Sequence, residues 1–163
     1  MKYMGSKNRI AKYIAPIIQS YVDRGCNGYL EAMVGGANMI DKIECDKKYG
    51  CDVNEYLIEL LKYAKSNKLP EIISKDDYTS VRLNMDEYDK WYVGLVGFCA
   101  SYNSKWFSGY ANNVKTKNGE IRNYTDEAIR NLIKQSPKLD GINFKCCSFQ
   151  NINTNISNYG ILS

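Results

Sequence analysis

The sequence predicts an α/β protein, a small parallel sheet covered by helices and carrying a helical insertion over about residues 70–140. Three observations predict it. An apolar run at Gly28–Val34 ends in the pair Gly35-Gly36, a second at Lys47–Val53 contains Asp52, and helix-period runs lie between and after them. Strand, turn, helix and strand in that order make a βαβ unit, with parallel strands and a right-handed crossover.

The elements follow in order. Ile10, Ile14, Ile17, Ile18 and Tyr21 recur at helical spacing, so residues 7–22 read as an amphipathic helix that Pro16 should kink or split. The first strand and its glycine turn come next. Residues 37–45 read as a helix with Met39, Ile40 and Ile43 as its packing face. After the second strand, Asn54 is placed to cap a helix from Glu55, buried through Leu57, Leu60, Leu61 and Ala64. Val93–Tyr102 is apolar enough for a core helix. Residues 112–124 read as a loop or short hairpin around Asn118-Gly119, and Thr125-Asp126-Glu127 as the capping start of a helix reaching Gln135. Ile142–Phe149 alternates like a strand, and Gly160-Ile161-Leu162-Ser163 reads as the beginning of another.

Composition narrows the chemistry. The 163 residues suffice for one core and predict a single domain. Apolar residues at 44% and charged residues at 25% are ordinary for a soluble protein, and no apolar run approaches the roughly 20 residues of a membrane span. No secretion signal is evident, so the expected compartment is the cytoplasm and the six cysteines are expected as reduced thiols. The chain has no histidine, which excludes Ser-His and Cys-His catalysis and the common mixed zinc sites. No Cys-x-x-Cys pair occurs, and no metal ligands are nominated. The net charge of +4 is unevenly spread: residues 71–90 carry six acids against three bases, whereas 101–125 carry Lys105, Lys115, Lys117 and Arg122 against Glu120 alone.

Two constellations carry chemistry. A glycine turn between a strand and a helix lets backbone approach a ligand, and a carboxylate ending the next strand can accept from two ribose hydroxyls. Glu31, Gly35, Gly36 and Asp52 meet that description of a nucleotide-like site. Farther on, Tyr102-Asn103-Ser104-Lys105-Trp106-Phe107-Ser108-Gly109-Tyr110 mixes aromatics, amides and a lysine, a combination suited to stacking on bases and contacting phosphates. Packing in the core is the competing explanation for Trp106 and Phe107.

Preceded by Lys2-Tyr3-Met4-Gly5-Ser6-Lys7, the Glu31–Ala37 segment and the Asp52–Asn54 segment resemble the front of a Dam-like N6-adenine DNA methyltransferase of the D12 class. The resemblance implies a partial Rossmann-like methyltransferase sheet binding S-adenosylmethionine (SAM), with residues 70–140 as the target-recognition insertion. It implies cofactor contacts from Tyr3, Gly5, Lys7, Glu31, Gly35, Gly36, Asp52 and Asn54. DNA contacts are expected from Asn103, Lys105, Trp106, Tyr110, Lys115, Lys117 and Arg122. Ala32 and Met33 stand where the family usually has Pro and Phe, and a vestigial cofactor site is the alternative reading. The family's Asp-Pro-Pro-Tyr motif is absent, since the prolines are Pro16, Pro70 and Pro137 alone, and no catalytic residue is nominated. The expectation is a truncated, methyltransferase-like chain that keeps the cofactor fold and transfers no methyl group alone, with duplex DNA as a candidate partner. Alternatives are one half of a split enzyme, or a DNA- or protein-binding module such as a phage-type inhibitor of a host nuclease. In the family the last strand is central, so a chain ending there should expose a sheet edge to self-association or a protein partner.

Overall fold

Four parallel strands, β1 (Tyr29–Glu31), β2 (Lys48–Asp52), β5 (Ile142–Cys146) and β6 (Gly160–Leu162), form a sheet in the order β5-β2-β1-β6. The structure, a computed structural model, describes residues 1–111, 113–115, 117–152 and 160–162. Glu31 pairs with Gly50 and with Leu162, which fixes the register on both sides of β1. The expected strands are therefore present, and β1, β2 and β5 are each shorter than the run that predicts them. Of the last expected strand, residues 160–162 lie within the described residues and Ser163 outside them.

The N-terminal helix begins with a 3-10 turn at Lys7–Arg9 and continues as α1 (Ala11–Val22), with Pro16 inside it. The expected split does not occur. Pro16 and Lys12, whose carbonyl loses its partner, both lie on the exposed side, where water takes the place of the missing bond. Residues 37–45 depart further, because only a 3-10 turn at Ile40–Lys42 forms. Ala37 has φ +56°, a left-handed conformation that stops a right-handed helix from starting there. Met39, Ile40 and Ile43 are nevertheless buried, so the packing expected of that segment is met without the helix.

Helix α2 (Glu55–Ser66) is capped as its sequence predicts, with Asn54 Oδ1 accepting from the Leu57 amide at 3.0 Å. Helix α3 (Lys75–Leu83) opens on a capping box in which Ser74 and Asp77 satisfy one another's backbone amides. Helix α4 (Lys90–Cys99) is buried from Val93 through Cys99, a run too apolar for a surface helix. The short hairpin is present as β3 (Asn113–Lys115) and β4 (Ile121–Asn123), paired antiparallel, while Asn112 lies outside the described residues. Helix α5 (Tyr124–Gln135) is capped by Asn123, whose Oδ1 accepts from the Asp126 amide, rather than by Thr125. The Thr125 hydroxyl is buried and donates instead to the Ala111 carbonyl at 2.8 Å.

The core is held by close approach of α4 to α2. A Cβ on Gly94 would collide with the Tyr56 carbonyl oxygen, and one on Gly97 would run into the Trp106 ring. An exposed helical Gly→Ala change gains about 1 kcal/mol. Here the sign should reverse. Gly94→Ala is expected to lower stability by about 1–3 kcal/mol, the usual range for overpacking, as read from the urea midpoint at constant m.

Candidate functional site

Strands β1 and β2 end side by side in Glu31 and Asp52, at the carboxyl edge of a parallel sheet, where α/β folds place their ligands. The chain leaves β1 through a tight turn at Gly35 and Gly36. Asp52 holds this turn from the side: Oδ2 accepts from the Gly35 amide at 3.1 Å, and Oδ1 from the Asn54 amide at 3.0 Å. The Val34 amide adds a bond to the Cys51 carbonyl at 2.7 Å, so the turn stays in step with β2.

From above, the N-terminal segment closes over the turn. Tyr3 lies against Gly35 and Gly36, and a Cβ on Gly36 would sit 2.9 Å from both the Tyr3 Cβ and the Asn38 amide nitrogen. Asn38 ties the segment down by donating to the Met1 carbonyl at 2.7 Å and to the Ser6 hydroxyl at 2.8 Å. Gln135 at the end of α5 donates to the Gly36 and Ala37 carbonyls at 3.2 and 3.0 Å. Three distant segments thereby converge on two glycines.

These elements enclose a cavity of about 150 Å³ lined by Tyr3, Gly5, Lys7, Glu31, Gly35, Gly36 and Asp52, with Ser6, Val34, Asn38 and Met39 among the remaining walls. Seven of the eight cofactor candidates thus share one cavity. Asn54 does not line it, because its side chain is spent on the cap of α2. Ser6 and Asn38 were not legible as site residues, since their only signal is a bond spanning 32 positions.

Glu31 dominates the electrostatics. It is 6% exposed, its Oε2 accepts from the Ile40 amide at 3.0 Å, and Lys7 Nζ stands 4.0 Å from Oε1. Burial pushes its carboxyl up to about 7, against the opposing pull of Lys7 and the Ile40 amide. Tyr3 is likewise raised, first by burial and then by the charge of Asp52. A buried acid with a raised pKa in a cleft is a candidate functional group.

The DNA candidates are arranged less uniformly. Asn103 and Lys105 are exposed on a loop where Asn103, Ser104 and Phe107 all have positive φ. That loop is pinned by the Tyr78 hydroxyl, which accepts from the Gly109 amide at 2.9 Å. Trp106 is half-buried against Phe98 and Tyr56, with ring centroids 4.8 and 5.1 Å apart. Tyr110 donates to the Ile73 carbonyl at 2.7 Å and packs on Tyr78. Lys115 and Lys117 are exposed at the hairpin. Arg122 is bound bidentately by Glu127, at 2.7 and 2.6 Å, which neutralises it where it stands. No cluster able to hold a metal ion occurs among the described residues, and no helix there is long and apolar enough to cross a membrane.

No curated protein matches the chain. The family model for the D12 class N6 adenine-specific DNA methyltransferase matches residues 3–161, nearly the whole sequence. With parallel strands ending in Glu31 and Asp52 around a glycine turn, the chain belongs to the D12 class of N6 adenine-specific DNA methyltransferases.

Proposed function

We propose that this chain is the cofactor-binding part of a DNA adenine methyltransferase, that it binds SAM in the Glu31–Asp52 cavity, and that these 163 residues transfer no methyl group by themselves. The observation that carries the reading is Glu31, an acid buried beside a small opening, with Lys7 Nζ 4.0 Å from its carboxylate. SAM carries an ammonium and a sulfonium, and it supplies an electrophilic methyl group. Glu31 and Lys7 suit its charged amino-acid end, and Asp52 suits hydroxyls of the ribose. Whole ligand sites usually span about 300–1,000 Å³. A cavity of about 150 Å³ therefore seats one end of an elongated molecule.

DNA would be met by Asn103, Lys105, Lys115 and Lys117, with Trp106 and Tyr110 holding their loop in place and presenting ring edges. Arg122 could reach a phosphate only by leaving Glu127. The absence of methyl transfer rests on residue content: no Asp-Pro-Pro-Tyr or other Pro-Pro sequence occurs in the chain, and that tetrapeptide is what would hold a flipped adenine. Incubation of the pure protein with duplex DNA and labelled SAM should leave the DNA unlabelled. Incorporated label would refute this part of the reading.

Cofactor binding is tested by calorimetric titration of SAM. Asp52→Ala should weaken binding at least about tenfold, the 1.4 kcal/mol expected from losing a charged hydrogen-bond acceptor. Asp52→Asn, whose single oxygen can still accept from the Gly35 amide, separates loss of the carboxylate charge from loss of the whole side chain. Equal affinity in all three proteins would remove Asp52 from the site.

Glu31 adds a dependence on pH with a definite sign. Its folded carboxyl titrates at about 7, above the usual 4.5, so its contribution to stability is full at low pH and is lost as pH rises toward 7. Glu31→Gln keeps an acceptor for the Ile40 amide and carries no charge. It should raise the melting temperature by a few degrees at pH 8 and leave it nearly unchanged at pH 5. The same substitution should weaken SAM binding at pH 8, and wild-type affinity should fall as pH drops below about 7, by at most tenfold per unit. A variant that melts identically at pH 8 would show that this acid is not strained, and one that binds SAM as well as wild type would show that it is not used.

A further inference from the structure

Beside the cofactor cavity runs a second, larger opening of about 750 Å³, between the N-terminal segment and the far end of α5. Lys2, Arg9, Lys42, Lys134 and Lys138 line it, against the single carboxylate of Asp41. That carboxylate is already occupied, by Lys42 Nζ at 2.7 Å and by the Gln135 amide at 2.9 Å. Among the described residues, Lys2, Arg9, Lys134 and Lys138 have no ion pair. The lining carries a charge of +4, the formal net charge of the whole chain, so the rest of the molecule is neutral in sum.

We propose that this groove is a track for the phosphate backbone of duplex DNA, additional to the loop and hairpin of residues 102–123. The proposal rests on the methyltransferase reading for the identity of the polyanion. Its geometry favours a long ligand over a single anion. The cations are exposed and spread over three segments, and the buried donors in the lining, Asn38 and Gln135, are already bonded within the protein. Lys2 stands over the Tyr124 ring at the start of α5, 5.4 Å from its centroid, while Lys134 and Lys138 lie at the other end. That separation is about 15 Å along the helix, the span of about four or five phosphates on one strand. The groove also shares Tyr3, Gly5, Ser6 and Asn38 with the cofactor cavity, so a backbone lying in it passes the cavity mouth. Acidic protein would need carboxylates at a matching repeat, which a uniform phosphate chain provides without sequence design.

The test is binding of a fluorescent 20-base-pair duplex across a series of salt concentrations, for wild type and for the combined Arg9→Ala, Lys134→Ala, Lys138→Ala protein. Each phosphate contact contributes about 0.9 to the slope of log affinity against log salt. The variant should lose about 2–3 from that slope and bind roughly tenfold more weakly at 0.1 M salt, with its melting temperature and SAM affinity unchanged. If wild type binds duplex and the variant matches it in slope and affinity, the groove is not the track, and the methyltransferase reading stands. If wild type binds neither duplex nor SAM, both fall. Displacement of the duplex by millimolar inorganic phosphate, or by poly-glutamate at equal charge, would also overturn the proposal, in favour of an ion site or an acidic protein partner.

Discussion

A carboxylate buried at the end of a strand must be given hydrogen bonds by something, and in this chain the donor is the Ile40 amide. That bond bends the chain after Gly36 back toward β1 and takes up an amide that a regular helix would have used internally. Ala37 then adopts its left-handed conformation, and Asn38 faces the N-terminal segment, where it binds Met1 and Ser6. The cavity wall is the outcome of this single diversion. Replacing Glu31 by an apolar residue would leave the Ile40 amide unpaired in the core, so the acid has a structural use. A neutral amide would satisfy the structural use, however. What remains to be explained is the charge, and the charge is what a cationic ligand requires.

The glycines of the turn allow a parallel distinction. Gly36 has no room for a side chain because Tyr3, Asn38 and the Met1 carbonyl already fill the space. Packing alone accounts for it. Gly35, at φ +49°, is required by the turn. Neither glycine therefore speaks for a ligand in its own right, although both form the cavity wall. The weight moves to Glu31 and Asp52, whose polar atoms reach the cavity from two adjacent strands. Asp52 is half-exposed with each oxygen receiving one backbone amide, which leaves lone pairs on both for a further donor.

How legible these features were depended on how local their causes are. The cap at Asn54 and the buried face of α2 follow from contacts within one or two turns, and both were plain in the sequence. So was the parallel order of β1 and β2, which the run–turn–run pattern dictates. Residues 37–45 were misread because their apolar spacing is truly helical, while the bonds that deny the helix come from Glu31, Met1 and Ser6. The cap of α5 was placed two residues late, since Thr125 looks like a cap but its hydroxyl is drawn to Ala111. Trp106 was ambiguous for the same reason. Its aromatic neighbours in sequence suggested a stacking surface, and only the fold shows that Gly97 leaves space for its ring.

Charge was the property least visible from sequence order. The stretch 101–125 looks basic when read along the chain, yet Arg122 is cancelled by Glu127 five residues on. The acidic stretch at 71–90 spends Asp77 on its own capping box, while Asp76, Asp86 and Glu87 remain exposed and repel any polyanion approaching that face. The larger positive region is assembled from residues 2–9, 42 and 134–138, none of which forms a run. Folding brings the two ends of that set together by laying the N-terminal segment across Gly36 and the end of α5. The same contacts that shape the Glu31–Asp52 cavity thus also gather the cations beside it, because Asn38 and Gln135 serve both. A change that loosens the N-terminal segment would consequently open the cavity and disperse the charge in one step.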